Sequence, residues 1–284
     1  MRRILVTGAG GFIGSNLVKY LLQDKTTRVM GLDNNPRILN DDLEMFNFDV
    51  KDINQIPFKP DIIYHLAAQS RVQPSFDDPK SSTEDNVMGT LAILEYAKKN
   101  KCQVVYAGST SRHFDHASSP YATTKYMGET LCKMYRKCFD MNVEIARFYN
   151  VYGPNEYLHP TEGNVIGIWR YNIENGLKCK VVGDGEQERD FIHVEDIVEG
   201  LVAIGEGVSN HDDAWELGTG STTSVNNLSV MFHERFNNTF EYIEDQKGNV
   251  RKSVLVNNDA YERLGWSPKR KLVHYIMSLW VEKI

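Results

Sequence analysis

Residues 4–14 read Ile-Leu-Val-Thr-Gly-Ala-Gly-Gly-Phe-Ile-Gly, and this stretch decides the fold. An apolar run that predicts a strand leads into a glycine-rich turn and then into a predicted helix. Gly8 permits the tight turn, Gly11 lets the backbone approach a pyrophosphate, and Gly14 lets the helix pack closely on the strand. The helix N-terminus adds N–H donors and a positive dipole end. A glycine pattern alone also fits a structural turn, but its position between strand and helix predicts a dinucleotide site.

The sequence that follows this turn predicts an α/β fold of the Rossmann type. Short apolar segments alternate with amphipathic ones through the first half of the chain. This alternation is typical of a doubly wound parallel sheet with right-handed crossovers. The predicted strands are residues 3–7, 28–32, 62–65, 103–106 and 143–147, and the predicted helices lie near residues 14–22, 82–99 and 121–140.

The alternation stops midway along the chain, and this change predicts a second, smaller lobe. We expect residues 1–150 to form the dinucleotide-binding Rossmann domain and residues 151–284 to form mainly a C-terminal lobe that binds the substrate. The chain is expected to return to the first sheet around residues 190–218, through a helix at 193–205 and a strand at 215–217.

Composition and charge argue against several classes of protein. The chain has 284 residues, a net charge of −6 and no long basic run, so we expect no nucleic-acid partner and no anionic membrane partner. Its four cysteines have no metal-ligand spacing, which favours reduced thiols in a cytoplasmic protein and no metal site. We find no signal peptide and no apolar run long enough to cross a bilayer.

An acidic residue at the end of the second predicted strand indicates which dinucleotide binds. Asp33 can accept hydrogen bonds from both ribose hydroxyls and would repel a 2′-phosphate, so NAD is favoured over NADP. On its own Asp33 also fits a strand-end turn residue, since Asn34, Asn35 and Pro36 follow it. Further cofactor contacts are expected at Phe12, Ile13, Asn34, Asp49, Val50, Leu66, Ala67, Ala68, Ala107 and Phe148.

Tyr121 and Lys125 are the candidate catalytic pair. They are four residues apart on a predicted helix and therefore share one face. A nearby ammonium favours the phenolate, so Lys125 is expected to lower the pKa of Tyr121 and make it a general acid/base for hydroxyl–carbonyl interconversion. Ser109 follows a predicted strand at the carboxyl edge of the sheet, where its hydroxyl can hold the reacting oxygen. By itself, a Tyr/Lys pair also fits an exposed helix surface.

These motifs together resemble the extended short-chain dehydrogenases/reductases, specifically the NAD-dependent epimerase/dehydratase family. The resemblance covers nearly the whole chain. It implies bound NAD, to which Tyr121 and Lys125 also contribute contacts, and a nucleotide-diphosphate sugar as substrate. The motifs that carry it are residues 7–14, Asp33, the Ser109/Tyr121/Lys125 set, residues 147–154 and residues 183–196.

The resemblance also assigns substrate contacts. Ser109 matches a sugar contact, and an arginine fork suits a dianionic diphosphate. The alternative for Arg251 is a solvated surface charge, and the alternative for Arg189 is a structural salt bridge to a neighbouring acid. The positions that match the family's substrate contacts, besides Ser109, are Asn150, Asn164, Val165, Arg189 and Arg251.

The sequence departs from the family pattern after the active-site serine. Only eleven residues separate Ser109 from Tyr121, fewer than is usual in the family. The shortened loop implies a more open pocket, or a new sugar contact from Arg112 or His113; a solvated loop histidine is the alternative for His113. Thr110-Ser111 stands where the family's 4,6-dehydratases carry Asp-Glu, which argues against dehydration.

The resemblance favours a nucleotide-sugar epimerase that oxidises its substrate transiently to a keto sugar and then returns the hydride. The alternatives are a nucleotide-sugar reductase or dehydrogenase with net turnover of NAD(H), and a non-catalytic NAD-binding protein on the same scaffold. Apolar stripes at residues 87–96 and 127–135 predict a homodimer that pairs these helices, as the family commonly does; packing on the sheet is the alternative. The nucleotide and the sugar stay open.

Overall fold

The structure is a computed structural model that describes residues 1–35, 43–207 and 211–280. The strands are β1 (Arg2–Thr7), β2 (Thr27–Asp33), β3 (Glu44–Asn47), β4 (Ile62–His65), β5 (Gln103–Ser109), β6 (Val143–Phe148), β7 (Asn150–Tyr152), β8 (Cys179–Val182), β9 (Glu188–His193), β10 (Trp215–Leu217), β11 (Thr222–Ser224), β12 (Phe240–Ile243) and β13 (Lys252–Ser253).

The α-helices are α1 (Phe12–Leu21), α2 (Val72–Asp77), α3 (Pro79–Thr83), α4 (Gly89–Asn100), α5 (Pro120–Phe139), α6 (Val165–Glu174), α7 (Val194–Glu206), α8 (Val225–Phe236), α9 (Asp259–Leu264) and α10 (Leu272–Ser278). Short helical turns of other types lie at Val50–Gln55, Glu84–Met88 and Thr110–His113.

A seven-stranded parallel sheet forms the centre of the molecule, in the order β3-β2-β1-β4-β5-β6-β10. The chain begins at β1 in the interior of the sheet and adds β2 and β3 on one side of it. It then crosses to the other side of β1 and adds β4, β5, β6 and β10 in turn. The Rossmann-type fold and the five strands predicted from the first half of the sequence are therefore confirmed. The strand order reverses between β1 and β4, and ligands bind at such a switch point in open α/β sheets.

Helices cover both faces of this sheet. On one face α1 and α7 pack together, with Leu17 and Leu201 buried in a cluster that includes Ile4 and Val6 of β1. On the other face α4 and α5 bury Ile93 and Cys132, among others, against the sheet. Each large apolar side chain buried in this way contributes about 1.5–3 kcal/mol. Because these strands are apolar on both faces, each face of the sheet has to be covered, and a layer of helices covers each one.

The remaining strands belong to a smaller lobe with its own core. Strand β9 pairs with β7, β11 and β13, and β8 pairs with β12. Trp169 of α6 is buried against the rings of Phe232 and Phe240, and its indole N–H donates to the carbonyl of Lys180. The chain leaves this lobe through α7 and joins the central sheet at β10, which pairs in parallel with β6.

Candidate active site

One large cavity, of about 1020 Å³, runs from the carboxyl ends of the central strands into the smaller lobe. All of the residues that the sequence nominates for cofactor contacts line it. So do the three candidate catalytic residues, together with Asn150, Asn164, Val165 and Arg189. The structure therefore brings into one cavity segments that lie far apart in the sequence.

The glycine-rich turn at one end of the cavity leaves no room for side chains. Gly8 has a φ of +68°, and a β-carbon on it would lie 2.7 Å from the backbone nitrogen of Ala67. A β-carbon on Gly14 would lie 2.0 Å from the carbonyl oxygen of Gly8. Gly11 caps α1 without a side-chain hydrogen bond, so the first N–H groups of the helix face the cavity undisturbed. This cradle fits a pyrophosphate.

Asp33 closes the far side of the cradle. Its Oδ2 accepts a hydrogen bond from the N–H of Gly10 at 2.9 Å, and its Oδ1 accepts one from the N–H of Asn35 at 2.9 Å. It therefore braces the turn and also lines the cavity. A carboxylate oxygen has more than one acceptor position, so these bonds leave capacity for ribose hydroxyls. Asp33 can therefore stabilise the turn and accept hydrogen bonds from the cofactor ribose at the same time.

Ser109, Tyr121 and Lys125 meet near the centre of the cavity. Helix α5 begins at Pro120, with Ser119 as its side-chain cap, so that Tyr121 lies in the first turn. The hydroxyl of Tyr121 donates to Oγ of Ser109 at 3.3 Å. The Lys125 ammonium is buried and donates to the carbonyl of Ala107. A sugar hydroxyl between Tyr121 and Ser109 would be in hydrogen-bond reach of both.

Burial shifts the pKa values of both members of the catalytic pair. Burial raises the pKa of Tyr121, and the hydrogen bond from Tyr121 to Ser109 and the positive charge of Arg71 oppose that rise. Burial also lowers the pKa of Lys125 to about 8, although the carboxylate of Glu129 favours its charged form. Arg71 is the cation whose charge opposes the rise in the pKa of Tyr121, whereas the Lys125 ammonium contacts the Ala107 carbonyl. The effect expected of Lys125 on the tyrosine pKa stays a prediction.

A buried ion network lies directly beneath the catalytic residues. The guanidinium of Arg147 contacts Glu129 at 2.7 Å, Glu216 at 2.9 Å and Asp213 at 2.9 Å. Glu129 also accepts a hydrogen bond from the backbone N–H of Ser109 at 3.2 Å. Since a buried guanidinium is costly unless it is paired, this network is highly constrained in geometry. It links the end of β5 to α5, β6 and β10.

The shortened loop does not place its charged residues at the sugar position. The imidazole Nε2 of His113 lies 2.8 Å from Oε1 of Glu216, and the side chain is 25% exposed. Arg112 lies over the ring of Tyr126. Neither residue lines the cavity, whereas Ser111 and Phe114 of the same loop do. The expected sugar contact from Arg112 or His113 is therefore not seen; His113 instead anchors the loop to the ion network.

The two arginines expected at the diphosphate differ in position. Arg189 lines the cavity and donates to Oδ1 of Asn249 at 2.7 Å. The acids beside it are engaged elsewhere: Glu188 pairs with Lys252, and Asp190 accepts hydrogen bonds from Thr219. The salt-bridge alternative for Arg189 therefore finds no support.

Arg251, in contrast, lies outside the large cavity. It is exposed and forms an ion pair with Asp184 at 2.8 Å. This is a surface arrangement close to the solvated-charge alternative. The substrate contact expected of Arg251 stays a prediction, and it would require Arg251 to leave Asp184.

Comparison with known proteins agrees with this geometry. The model of the NAD dependent epimerase/dehydratase family matches residues 4–218. A UDP-glucose 4-epimerase of Mycolicibacterium smegmatis is 34% identical, with 96% of this chain and 96% of that protein covered. This chain belongs to the NAD-dependent epimerase/dehydratase family. Its cofactor is NAD.

Solved structures and other relatives differ in the reactions for which they are named. A UDP-glucose 4-epimerase of Thermotoga maritima, solved with UDP-glucose, superposes with a TM-score of 0.90 at 28% identity, covering 97% of this chain and 96% of that one. A dTDP-D-glucose 4,6-dehydratase of Bos taurus is 27% identical over 94% of this chain and 84% of its own length. Epimerases and dehydratases are thus both among the relatives of this family member.

In the described part of the chain, no helix is long and apolar enough to cross a membrane. The same residues contain no group of three or more histidines, cysteines or acids that could hold a metal ion.

Arg71 lies on the segment between β4 and α2 and lines the cavity, and it was not predicted from the sequence. Its guanidinium donates to Oδ1 of Asn164. The available signal was weak. It consists of one arginine a few residues beyond a strand end, at the edge of the sheet where parallel strands place functional groups.

We predict that Asp33→Asn narrows the preference of this family member for NAD over NADP. Asparagine keeps an acceptor for Gly10 but removes the charge that repels a 2′-phosphate. The affinity ratio should change by roughly tenfold or more, equivalent to about 1.4 kcal/mol. Titration of the apo-protein with both cofactors measures the ratio, and the exposed Asp52→Asn is the control. Equal binding of NAD and NADP by the unaltered protein would contradict the assignment of Asp33.

We predict that Glu129→Gln lowers both stability and activity at neutral pH. The change removes a buried partner of Arg147, which should cost about 1–3 kcal/mol of unfolding free energy. It also removes the charge that favours protonated Lys125. The Lys125 pKa should then fall further below its ordinary value, and the alkaline limb of the activity profile should move to lower pH.

Urea unfolding and a pH–rate profile measure the two effects of Glu129→Gln. Glu84→Gln, which breaks only an exposed ion pair with Lys80, is the control and should change stability by less than about 1 kcal/mol. An unchanged alkaline limb in Glu129→Gln would show that Glu129 does not act on Lys125.

Proposed function

We propose that the protein is an NAD-dependent nucleotide-sugar epimerase. The observation that carries this proposal is the placement of Tyr121 and Ser109, whose hydroxyl oxygens are 3.3 Å apart, in a cavity that continues from the glycine cradle into the lobe. That arrangement presents a general acid/base and a hydrogen-bonding hydroxyl to the same substrate oxygen. The relatives named UDP-glucose 4-epimerases support the assignment.

In the proposed reaction Tyr121 removes the proton of a sugar hydroxyl. Ser109 holds the same oxygen as it gains carbonyl character. Bound NAD would supply the hydride-transfer chemistry at the carbon that bears this oxygen. Lys125 would donate to the nicotinamide ribose through the ammonium protons that its bond to the Ala107 carbonyl leaves free. Tyr121 then returns its proton to the oxygen of the inverted centre.

The glycine cradle, Asp33 and the small residues 66–68 would hold the cofactor. Gly8 and Gly14 have no space for a side chain, so the backbone itself forms the binding surface. Asn150, Asn164, Val165 and Arg189 extend from this surface toward the lobe and would hold the nucleotide diphosphate. Arg251 would join them only if it left Asp184.

Dehydration is a weaker candidate. Elimination of water needs an acid and a base beside the active-site hydroxyl, and this chain has Thr110 and Ser111 there. The hydroxyl of Ser111 is also engaged, since it donates to Oγ of Ser109 at 2.9 Å. Neither side chain titrates in the range that elimination requires.

We also propose that the protein works in the cytoplasm as a homodimer. Cys138 is an exposed free thiol, which suits a reducing compartment. Much of each apolar stripe packs on the sheet, including Ile93 and Cys132. Met88, Met127 and Met134 stay exposed on α5 and at the start of α4, and they form the proposed contact.

The homodimer predicts that Met127→Glu combined with Met134→Glu yields a monomer. Two charges would be buried in each copy of a symmetric helix interface, and desolvation opposes that burial. Light scattering at micromolar concentration measures the mass of both proteins. A monomeric mass for the unaltered protein would refute the proposed contact.

The reaction itself is tested by incubating purified protein with a panel of UDP-, GDP-, dTDP-, CDP- and ADP-sugars and identifying products by mass spectrometry and chromatography. Tyr121→Phe should keep the fold and NAD binding but lose turnover by about 10²–10⁴-fold, because it removes only the oxygen that moves the proton. Lys125→Ala should lower turnover and also weaken NAD binding.

The fate of hydrogen separates the rival functions. An epimerase returns its hydride, so NADH should not accumulate, and product formed in deuterated water should carry no deuterium at the inverted carbon. Stoichiometric NADH would show a dehydrogenase. Tight NAD binding without conversion of any sugar would show a non-catalytic protein.

A further inference from the structure

The short helical turn Thr110–His113 begins directly after the candidate catalytic serine and fixes the surroundings of its hydroxyl. Oγ of Ser109 caps this turn, because it accepts hydrogen bonds from the N–H of Ser111 at 3.2 Å and from the hydroxyl of Ser111 at 2.9 Å. Both bonds use the acceptor capacity of Oγ and leave the proton of Ser109 for a substrate oxygen. The direction of that proton therefore depends on where the turn lies.

Both ends of this turn are attached to carboxylates that share one guanidinium. At its start, the N–H of Ser109 donates to Oε1 of Glu129 at 3.2 Å. At its end, Nε2 of His113 lies 2.8 Å from Oε1 of Glu216. Arg147 contacts Glu129 at 2.7 Å and Glu216 at 2.9 Å. The buried ion network therefore sets the position of the turn at both of its ends.

Glu216 is a fixed anchor for His113. Its side chain is fully buried on β10, where Oε1 also accepts from Arg147 at 2.9 Å and Oε2 accepts from the hydroxyl of Tyr149 at 2.9 Å. A carboxylate only accepts hydrogen bonds, so His113 donates to it through Nε2. If His113 were replaced, Glu216 would keep its other two donors. The end of the turn would then be released while the anchor stayed in place.

The other charged and aromatic side chains of the loop pack on a different surface. The guanidinium of Arg112 lies 4.9 Å from the centre of the Tyr126 ring, and His116 stacks on the same ring at 4.2 Å. Both contacts hold the loop to α5 and do not involve the ion network. Among residues 110–119, all of which the structure describes, His113 is the one whose side chain contacts an acid of that network.

We propose that His113 is a positioning residue for the active-site serine. It holds the end of the turn at Glu216, keeps the bonds from Ser111 in place, and so directs the Ser109 proton toward the sugar oxygen that reacts. His113 does not line the cavity and therefore acts through Ser109 rather than on the substrate. The proposal rests on the proposed function and adds a residue to its machinery.

Two substitutions of His113 test this role by steady-state kinetics, with the nucleotide-sugar that the protein converts best. His113→Met removes the donor to Glu216 and should lower kcat by about tenfold, with KM and the dissociation constant of NAD changed by less than about twofold. The reason is that the Ser109 bond is strongest when the sugar oxygen carries developing negative charge. His113→Gln keeps an N–H donor of similar reach and should retain at least about half of kcat.

Arg112→Met is the matched control, because it removes a contact of the same loop with Tyr126 and leaves the ion network intact. Its kcat should stay within about twofold of the unaltered value. Equal losses of kcat in His113→Met and His113→Gln would overturn the proposal, since the donor to Glu216 would then be irrelevant. An unchanged kcat in His113→Met, or an equal loss in Arg112→Met, would overturn it as well.

A double-mutant cycle shows whether His113 acts through Ser109. In a Ser109→Ala background the hydroxyl that His113 positions is gone, so adding His113→Met should change kcat by less than about twofold. A loss in that background as large as the loss in the unaltered protein would overturn the proposal. Urea unfolding of every variant identifies the conditions under which all of them are folded, and the kinetics are measured there.

The ring of Tyr121 reports on Ser109 without any turnover. Its hydroxyl donates to Oγ of Ser109 at 3.3 Å, and the NMR shift of a tyrosine Cζ carbon responds to the hydrogen bonding of that hydroxyl. The resonance is measured in protein with isotope-labelled tyrosine and bound NAD, and Tyr121→Phe assigns it. His113→Met should move it in the same direction as Ser109→Ala does, and His113→Gln should leave it in place.

This measurement separates the inference from the proposed function. A Tyr121 resonance that moves in His113→Met but not in His113→Gln would support the positioning role even if no sugar were converted, in which case only the epimerase function fails. A resonance that stays in place in His113→Met would overturn the positioning role, whatever the protein converts.

Discussion

The close approach of three backbone segments at the first turn is the constraint on which the rest of the structure depends. Gly8 lies against Ala67 of the next strand end, and Gly14 lies against the carbonyl of Gly8. These contacts fix α1 over β1 and bring the end of β4 beside the turn. Since the pyrophosphate cradle is made of backbone, its position follows from the packing alone. The parallel register of the sheet then sets where the other strands end relative to this cradle.

The ion network around Arg147 constrains the positions of the catalytic residues. Glu129 and Arg147 are both almost fully buried, and Glu129 also accepts from the backbone of Ser109. Such a network tolerates little displacement, because each member that moves leaves a buried charge unpaired. The catalytic serine is thus held by the backbone of β5, while the tyrosine is held by the first turn of α5. His113 anchors the short loop between Ser109 and Tyr121 through its contact with Glu216.

Local sequence signals predicted the fold and much of the candidate site, because they act over short distances. The turn at Gly8, the four-residue spacing of Tyr121 and Lys125, and the strand-end position of Ser109 each follow from one segment. The partners of Arg71, His113 and Arg251 were not predicted, because they lie far away in the sequence. Arg71 meets Asn164, His113 meets Glu216, and Arg251 meets Asp184. No periodicity in one segment reveals which residues of another segment it will contact.

The return of the chain to the central sheet has a consequence for how the protein can fold during synthesis. Glu216 lies on β10, the last strand to join the sheet, and Asp213 lies just before it. Until both have left the ribosome, Arg147 has only Glu129 to balance its charge in a dry interior. A nascent chain that ends near residue 150 therefore lacks the counter-charges that its own sixth strand requires. The sixth strand thus depends for its charge balance on two acids that lie 66 and 69 positions further along the chain.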